Sequence, residues 1–376
     1  MSAEAAEHVE ASASERLKTF KERHHLAIEI AFFFAGFLFD VLLLHRIDSA
    51  PLLAHQGTYL VLSAALIFWD HRLSVSEKQP TGVLGKVAGY RLWAMHFFLG
   101  TLLNAFMVFY FRAASSLSAF AFLVVLAGII VLNELPQFRN KGPIVRVALL
   151  SFSVTSYLAY LLPVLWHELR PWQYVVAVLG GSAATVGFWL LFNRFARDPA
   201  WTFGRGVLPG LVVQASLLVL YLGGVIPPVP LSLKHIGLYS KVTRNPAGSK
   251  GTYTLEYQPA PVWQPWRREH SEFVGDAGVE VNAFVRIFSP TDFHDGVGFL
   301  WEYDDPQKGW TARGTPWFDR NFKYGGEKGW ATWGSAHLTR PGDWRVRVLT
   351  EDGREIGRKA FTFVEGQPPA PATEEE

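Results

Sequence analysis

The chain has 376 residues, of which 49% are hydrophobic and 18% are charged, and its formal net charge is +2 at pH 7. So small a charge, carried by basic residues that form no single patch, argues against a nucleic-acid partner. The absence of cysteine excludes disulfides, thiolate metal sites and cysteine nucleophiles. The averages describe neither half, because apolar runs dominate the chain up to about residue 230 and the rest is polar and tryptophan-rich.

Seven apolar runs between residues 26 and 226 predict an α-helical bundle of about seven transmembrane spans. A helix rises about 1.5 Å per residue, so roughly 20 apolar residues cross roughly 30 Å of hydrocarbon. Only Arg112 and a serine cluster separate the third and fourth runs, which we interpret as a tight hairpin. The predicted spans are 26–44, 52–69, 92–111, 113–132, 144–166, 172–192 and 207–226.

Lysine and arginine near the spans fall almost entirely on one side of the predicted bundle. The N-terminal tail and the even-numbered loops hold 14 of them, whereas the odd-numbered loops hold only Arg46, Arg112 and Arg170. Because cytoplasmic loops retain positive charge, we place residues 1–25 in the cytoplasm as a solvated tail. Seven spans would then export the C-terminal part from the cytoplasmic (inner) membrane, to the periplasm or outer surface of a bacterial cell.

Two carboxylates, Glu29 and Asp40, interrupt the first predicted span. Their separation of eleven residues returns to within about 20° of the same helix face, about 16 Å along the axis. Charge in hydrocarbon is costly unless it is paired or hydrated, so this stripe could line a proton or ion path. The alternative is that each carboxylate lies near an interface and is satisfied there by water or a neighbouring basic side chain.

Small residues recur at helical spacing in the last two predicted spans, which lets helix backbones approach closely. The pairs are Gly180 with Ala184, Ala183 with Gly187, and Gly206 with Gly210. We interpret them as a packing device.

The C-terminal part has the pattern of an all-β, sandwich-like (Ig-like) domain over residues 232–365. Prolines at 227, 228 and 230 predict a stiff stalk, 227–231, that holds this domain near the membrane. Residues 279–288 alternate with a period of two and have apolar groups on both faces. Asp352-Gly353 predicts a tight hairpin, and residues 366–376 are predicted to be a disordered tail. The other predicted strands are 231–243, 252–257, 297–303, 310–317, 330–338, 344–350 and 355–364.

Two segments of this domain carry a family resemblance. One runs from Pro227 through Leu231 to Lys234, Gly237 and Tyr239; the other contains Trp330-Ala331-Thr332-Trp333-Gly334-Ser335, Gly342-Asp343-Trp344-Arg345-Val346-Arg347-Val348, Gly353, Gly357 and Phe361-Thr362-Phe363-Val364. They resemble a bacterial family catalogued as a domain of unknown function, often attached to membrane spans. The resemblance implies an all-β module without an established activity. The family often has a histidine two residues before the tryptophan matched by Trp301, and this chain has Phe299 there.

Tryptophan density suggests where a ligand could bind. Trp344 alternates with valines and is predicted to be core. Other tryptophans lie among glycines and charges between residues 304 and 334, where exposed rings could stack on sugars or rest at lipid headgroups, and polar neighbours could hydrogen-bond a ligand. Ordinary core and hairpin packing is the alternative. The candidate binding residues are Trp310, Arg313, Trp317, Asp319, Arg320, Trp330 and Trp333.

Catalytic and cofactor signatures are missing from the sequence. It has no phosphate-binding glycine loop, nucleophile elbow or dinucleotide fingerprint. The acidic clusters around His294 and at Asp304 and Asp305 have the pattern of solvated turns. We therefore expect a non-enzymatic membrane protein of the cell envelope, without metal or cofactor, whose exported sandwich binds a glycan, peptide or partner protein. The alternative is a transporter or membrane sensor that uses Glu29 and Asp40, with the sandwich as an accessory.

Overall fold

A computed structural model gives the structure of the protein. It describes residues 49–76, 80–115, 117–134, 143–194, 203–246, 252–260, 270–289, 296–320 and 329–376. The predicted tail 1–25, the predicted first span 26–44 with Glu29 and Asp40, and the acidic cluster around His294 lie outside the described residues.

The first half of the described chain is helical. Its helices are α1 Ala50–Val75, α2 Gly82–Ala113, α3 Leu117–Glu134, α4 Pro143–Trp166, α5 Pro171–Asn193 and α6 Leu208–Leu222, the last preceded by a π-helical turn, Phe203–Val207. Four of the described helices, α1, α2, α4 and α5, are long and apolar enough to cross a membrane. Shorter apolar helices occupy the predicted fourth and seventh spans. α2 ends at Ala113 and α3 begins at Leu117, where the sequence predicted a tight hairpin.

A buried polar network joins α4, α5 and α6. Gln214 donates hydrogen bonds to the hydroxyl and the carbonyl oxygen of Ser151, at 2.7 and 2.9 Å, and accepts one from Thr155 at 2.7 Å. Thr185 donates to the Ser151 hydroxyl at 2.8 Å. All four side chains are buried. Since an unsatisfied buried polar group is costly, the mutual hydrogen bonds fix how these three helices pack.

Glycines make that close approach possible. A Cβ atom on Gly210 would lie 2.5 Å from Thr185 Cγ2, and one on Gly180 would lie 2.5 Å from Leu158 Cδ1. The close packing predicted at these two of the six small residues is therefore confirmed. Gly187 has nothing within 4 Å of such an atom. The small-residue pattern did not single out Gly181. Among the glycines of these helices, it is the one at which an added Cβ atom would come closest to a neighbouring atom.

We expect Gly181→Ala to lower the thermal midpoint of the full-length protein in detergent. The new Cβ would lie 2.1 Å from Thr155 Oγ1 and 2.5 Å from Gln214 Nε2, so the helices must separate at a cost of about 1–3 kcal/mol. Gly187→Ala is the matched control, because it adds the same methyl group to open space and alanine favours a helix by up to about 1 kcal/mol. Equal midpoints for the two variants would contradict the packing.

An ion cluster closes the end of the bundle that is remote from the β domain. Asp70 of α1 accepts a hydrogen bond from Arg91 Nε of α2 at 2.6 Å and pairs with Arg146 of α4. Arg91 precedes the end of α2 at Ala113 by 22 residues, or about 33 Å of helix. The cluster and the α2–α3 connection therefore lie at opposite ends of the bundle.

The second half is all-β. Its strands are β1 Ser232–Tyr239, β2 Lys241–Arg244, β3 Tyr253–Tyr257, β4 Glu272–Gly275, β5 Val279–Phe288, β6 Val297–Asp305, β7 Gly309–Ala312, β8 Trp317–Asp319, β9 Trp330–Leu338, β10 Gly342–Thr350, β11 Glu355–Glu365 and β12 Ala372–Glu375. One sheet has the order β1-β5-β9 and a second has β4-β11-β10-β6-β7, with β8 also paired to β6. A third sheet has the order β12-β3-β2.

The first two sheets enclose a common core, which confirms a β-rich domain with sandwich-like packing. Val281, Val285 and Ile287 of β5 meet Val346 and Val348 of β10 there. The two-sided apolar pattern of β5 has a physical explanation in the third sheet: Phe284 points to the opposite face, into a separate cluster with Tyr239, Tyr253 and Leu255. The predicted hairpin at Gly353, whose φ is 81°, joins β10 to β11.

The predicted disorder of residues 366–376 is wrong for the last of them. β12 pairs with β3 in antiparallel register, Ala372 opposite Tyr257. Arg286 Nε lies 2.6 Å from the Glu376 carboxylate, and the Tyr239 hydroxyl donates to Glu374 at 3.1 Å. Low hydrophobicity predicted disorder here, but backbone pairing with an edge strand and paired charges hold the segment.

The predicted stalk, 227–231, is a buried junction. Ile226 and Val229 belong to the helical core, and Leu231 belongs to the sandwich core. The three prolines are buried as well. Prolines favour an extended connection. The apolar side chains between them, however, are buried in the two cores and not exposed to water, so the domain lies directly on the helices.

Side chains from each half of the chain also pack into the core of the other half. Leu169, between α4 and α5, packs into the sandwich core, and Phe288 at the end of β5 packs into the helical core. The Ser115 hydroxyl, between α2 and α3, donates to the carbonyl oxygen of Glu355 at 3.0 Å. The loops that contact the β domain are thus those predicted to lie on its side of the bundle.

Candidate functional site

A groove of about 650 Å³ opens at one side of the sandwich, between β9 of one sheet and the β6–β8 region of the other. Phe299 and Trp301 of β6 line it, with residues 332–337 of β9 and Arg313, Trp317 and Asp319 from the segment that returns after β7. A pocket of several hundred cubic ångströms with mixed apolar and polar walls suits a ligand of modest size.

A glycine sets the depth of the groove. A Cβ atom on Gly334 would lie 2.5 Å from Cγ of Phe299. Only a residue without a side chain lets β9 approach the β6 aromatic ring this closely. The Phe299 side chain is therefore buried at the base of the groove, and neighbouring residues form the wall above it.

Aromatic rings form the base and one wall. Trp317 is 56% exposed and stacks on Phe299, with the ring centroids 6.4 Å apart and the planes 26° apart. Trp301 is only 5% exposed, and its indole Nε1–H has no hydrogen-bond acceptor among the described protein atoms. An exposed ring beside buried ones offers a flat apolar surface to a ligand, and a buried indole N–H ordinarily finds a partner.

Polar groups line the groove beside these rings. The hydroxyl of Thr332 donates to the Asp319 carboxylate at 2.7 Å, which ties β9 to β8. The Arg313 guanidinium lies 5.3 Å from the centroid of the Tyr303 ring. No described carboxylate pairs with Arg313 within the 4.0 Å of an ion pair, although its charge acts on Asp305 from farther away. The groove therefore combines a cation, a carboxylate and an aromatic platform.

The structure brings four of the seven candidate binding residues together at the groove, namely Arg313, Trp317, Asp319 and Trp333. The Trp333 ring, however, contacts Tyr253 of the third sheet, with centroids 5.8 Å apart, so packing of this ring against that sheet limits what it offers a ligand.

The other three candidates lie elsewhere. Trp310 lies under the guanidinium of Arg345, 4.1 Å from the ring centroid, and Trp330 packs against the sandwich core. Arg320 pairs with Glu351 at 3.0 Å. Glu351 also lies 3.3 Å from Arg170 of the α4–α5 loop, so this position connects the edge of the groove to the helices.

Sequence reasoning missed Phe299, Trp301, Thr332, Ser335 and His337. Only the family resemblance draws attention to the position of Phe299, because the family often has a histidine there. Strand alternation could have placed Phe299 and Trp301 on one face of β6. That β9 lies near them depends on the pairing of β9 with β5, which the local sequence pattern does not reveal.

Acid–base chemistry finds little support in the described acidic pair. Asp305 accepts backbone hydrogen bonds from Gln307 and Lys308, at 3.0 and 3.3 Å, in the turn after β6. The hydrogen bond from Gln307, the largest influence, lowers the pKa of this carboxyl from its ordinary value. Asp305 is thus a turn residue that stays ionised. Across the described ranges, no group of three histidine or acidic side chains is placed to hold a metal.

The fold and the groove define a class: a helical part with helices long and apolar enough to cross a membrane, followed by a β-rich domain with a lateral groove. Residues 301–363 of that domain match the family model DUF2914, described as a protein of unknown function. The chain therefore carries a DUF2914 domain toward its C-terminus, which confirms the predicted resemblance over those residues. Most of the groove lies within the matched range. No curated protein matches the chain.

Solved structures give weak likenesses. An immunoglobulin-like protein (PA1606) from Pseudomonas aeruginosa is 12% identical, over 33% of this chain and 97% of that one, with a TM-score of 0.19. The Pseudomonas fluorescens alkylpurine DNA glycosylase AlkC, solved with DNA containing an abasic site analog, is 11% identical over 85% of this chain and 98% of its own, with a TM-score of 0.23. At such scores neither likeness bears on fold or function.

Proposed function

We propose that this chain is a non-enzymatic, seven-span protein of the cell envelope whose exported β domain binds a glycan, peptide or partner protein in the groove. The single observation that carries the proposal is the groove itself, with the exposed Trp317 ring stacked over the buried Phe299. Arg313 and Asp319 supply polar contacts to a ligand. Such convergence of an aromatic platform with a few polar groups is typical of binding sites.

The junction supports a position of the groove beside the membrane. The chain passes from α6 into β1 through buried residues, and the Arg170–Glu351–Arg320 connection reaches from a helix loop to the groove segment. A ligand in the groove would therefore lie close to the lipid surface. The charge asymmetry of the loops supports an N-terminus in the cytoplasm and a β domain in the periplasm or outside.

Replacing Trp317 with alanine is expected to weaken binding at least about fivefold, because loss of a central aromatic contact typically costs more than about 1 kcal/mol. The full chain in lipid nanodiscs would be titrated with peptidoglycan fragments and with a randomised peptide library, by tryptophan fluorescence and by capture. Trp310→Ala, also an exposed tryptophan of the same domain but outside the groove, is the control. Absence of binding by the folded wild type, or equal binding by Trp317→Ala, would overturn the proposal.

The absence of cysteine makes the topology directly testable. We expect Lys308→Cys, in the exposed turn after β6, to react with a membrane-impermeant maleimide when the periplasmic face is accessible. Thr81→Cys, exposed just before α2, should react only after the membrane is permeabilised. The opposite pattern of labelling would contradict the proposed orientation.

A further inference from the structure

The edge of β9 that faces away from β5 is the most informative feature of the groove. β9 is the last strand of the order β1-β5-β9, so β5 pairs with one side of it and no described strand pairs with the other. An edge strand presents a row of unpaired backbone N–H and C=O groups. Such a row is a template for one more strand.

The groove runs along this edge. Six consecutive residues, 332–337, line it. Successive side chains of a strand point to opposite faces, so one face of β9 could contribute only every second residue. An unbroken run of lining residues is what a groove along the edge of the strand gives, because each backbone unit contributes there. Six residues of strand correspond to about 20 Å.

The facing wall is formed by the strands that pair with β6, and the hydrogen bond from Thr332 to Asp319 crosses the groove at one end. β7 ends at Ala312 and β8 begins at Trp317, and both pair with β6. The exposed interruption between them, with Gly314 at a φ of 89°, contributes Arg313 and Thr315 to the groove. The occupant thus lies between two sheet edges, with a guanidinium and the Trp317 ring on one side and backbone groups on the other.

We propose that the occupant of the groove is an extended polypeptide segment, which pairs with β9 as a fourth strand and places an acidic side chain at Arg313. This inference rests on the proposed function and names the class of its ligand. A peptide backbone has alternating donors and acceptors at the spacing of the β9 edge. A glycan would use the Trp317 face but could not satisfy that row in register. The indole N–H of Trp301 at the base, which has no described partner, would donate to a side-chain or carbonyl oxygen of this segment.

The test begins with selection from a phage-displayed library of random heptapeptides against the full chain in nanodiscs. Parallel selection against Trp317→Ala removes peptides that bind elsewhere. We expect enriched peptides with alternating apolar residues and one aspartate or glutamate. Failure to enrich any peptide that depends on Trp317 would overturn the inference.

The mode of binding is then tested on the enriched peptides. Methylation of alternate backbone nitrogens keeps the side chains but removes hydrogen-bond donors, and in one of the two registers it should weaken binding at least tenfold. Bound peptide should also slow hydrogen exchange at least tenfold for those amides of residues 332–337 that do not pair with β5. Unchanged affinity in both registers, or unchanged exchange, would show that the peptide does not add to β9.

The charged contact has its own control. Arg313→Gln should weaken the acidic peptide at least fivefold, and should leave its glutamine counterpart unchanged. Equal loss for both peptides would exclude the proposed pairing. If peptidoglycan fragments bind in a Trp317-dependent manner and no peptide does, the inference fails while the proposed binding function stands. If neither binds, both fail.

Discussion

Replacing Trp344 with alanine is expected to destabilise the β domain by about 3–5 kcal/mol, since a large buried ring leaves a cavity. Trp344 is 1% exposed, its ring centroid lies 5.2 Å from that of Tyr303, and its Nε1 donates to the carbonyl oxygen of Arg340 at 2.9 Å. The thermal midpoint of the full-length protein, followed by near-ultraviolet circular dichroism, should fall on the order of 10 °C.

The matched control is Trp310→Ala, in the same sheet. Trp310 is 38% exposed and its described contact is the Arg345 guanidinium, which is worth about 0.5–1 kcal/mol. We expect a shift several times smaller than for Trp344→Ala. Comparable shifts would mean that the sandwich core is not arranged as described.

Asp70→Asn is expected to destabilise the helical part by about 3 kcal/mol, because it leaves two guanidinium groups without their shared carboxylate. Arg91 and Arg146 approach Asp70 from different helices, and all three side chains are largely buried. The readout is the midpoint of aggregation of the detergent-solubilised protein on heating. Glu168→Gln is the control, because its pair with Arg170 is 3.5 Å long and more exposed and so contributes at most about 1 kcal/mol.

A second variant separates lost attraction from uncompensated charge. In Asp70→Asn with Arg91→Gln and Arg146→Gln, no charge remains without its partner, so part of the stability should return. A triple variant less stable than Asp70→Asn alone would contradict this explanation. Unchanged stability of Asp70→Asn itself would show that the cluster does not hold the three helices together.

The local sequence pattern predicted those elements well whose side chains face a single environment, either one solvent or one core. The tight turn between α2 and α3, the two-sided apolar pattern of β5 and the buried Trp344 followed from apolar periodicity and from breaks in it. The strand predicted over 310–317 is instead two short strands, β7 and β8, separated at Gly314. The positive φ of that glycine ends regular pairing, and the resulting gap is part of the groove.

The features that could not be predicted depend on residues that are far apart in the sequence and close together in the fold. Ser151 and Gln214 are 63 residues apart, and nothing near either residue in the sequence shows that they share hydrogen bonds. The same holds for Phe299 and Gly334, which meet only because β5 carries β9 across the sandwich. Tryptophan density indicated the region that contains the groove, but burial and charge pairing divided the candidate residues between the groove, the core and the contact with the helices.

The buried junction between α6 and β1 has a mechanical consequence. Residues 226–231 contribute to two cores at once, and Leu169 and Phe288 cross between them. Close-packed interiors transmit strain with little give, so a small tilt of the last helix in the lipid would displace the first strand by a similar amount. The helical part and the β domain should therefore move as one rigid unit.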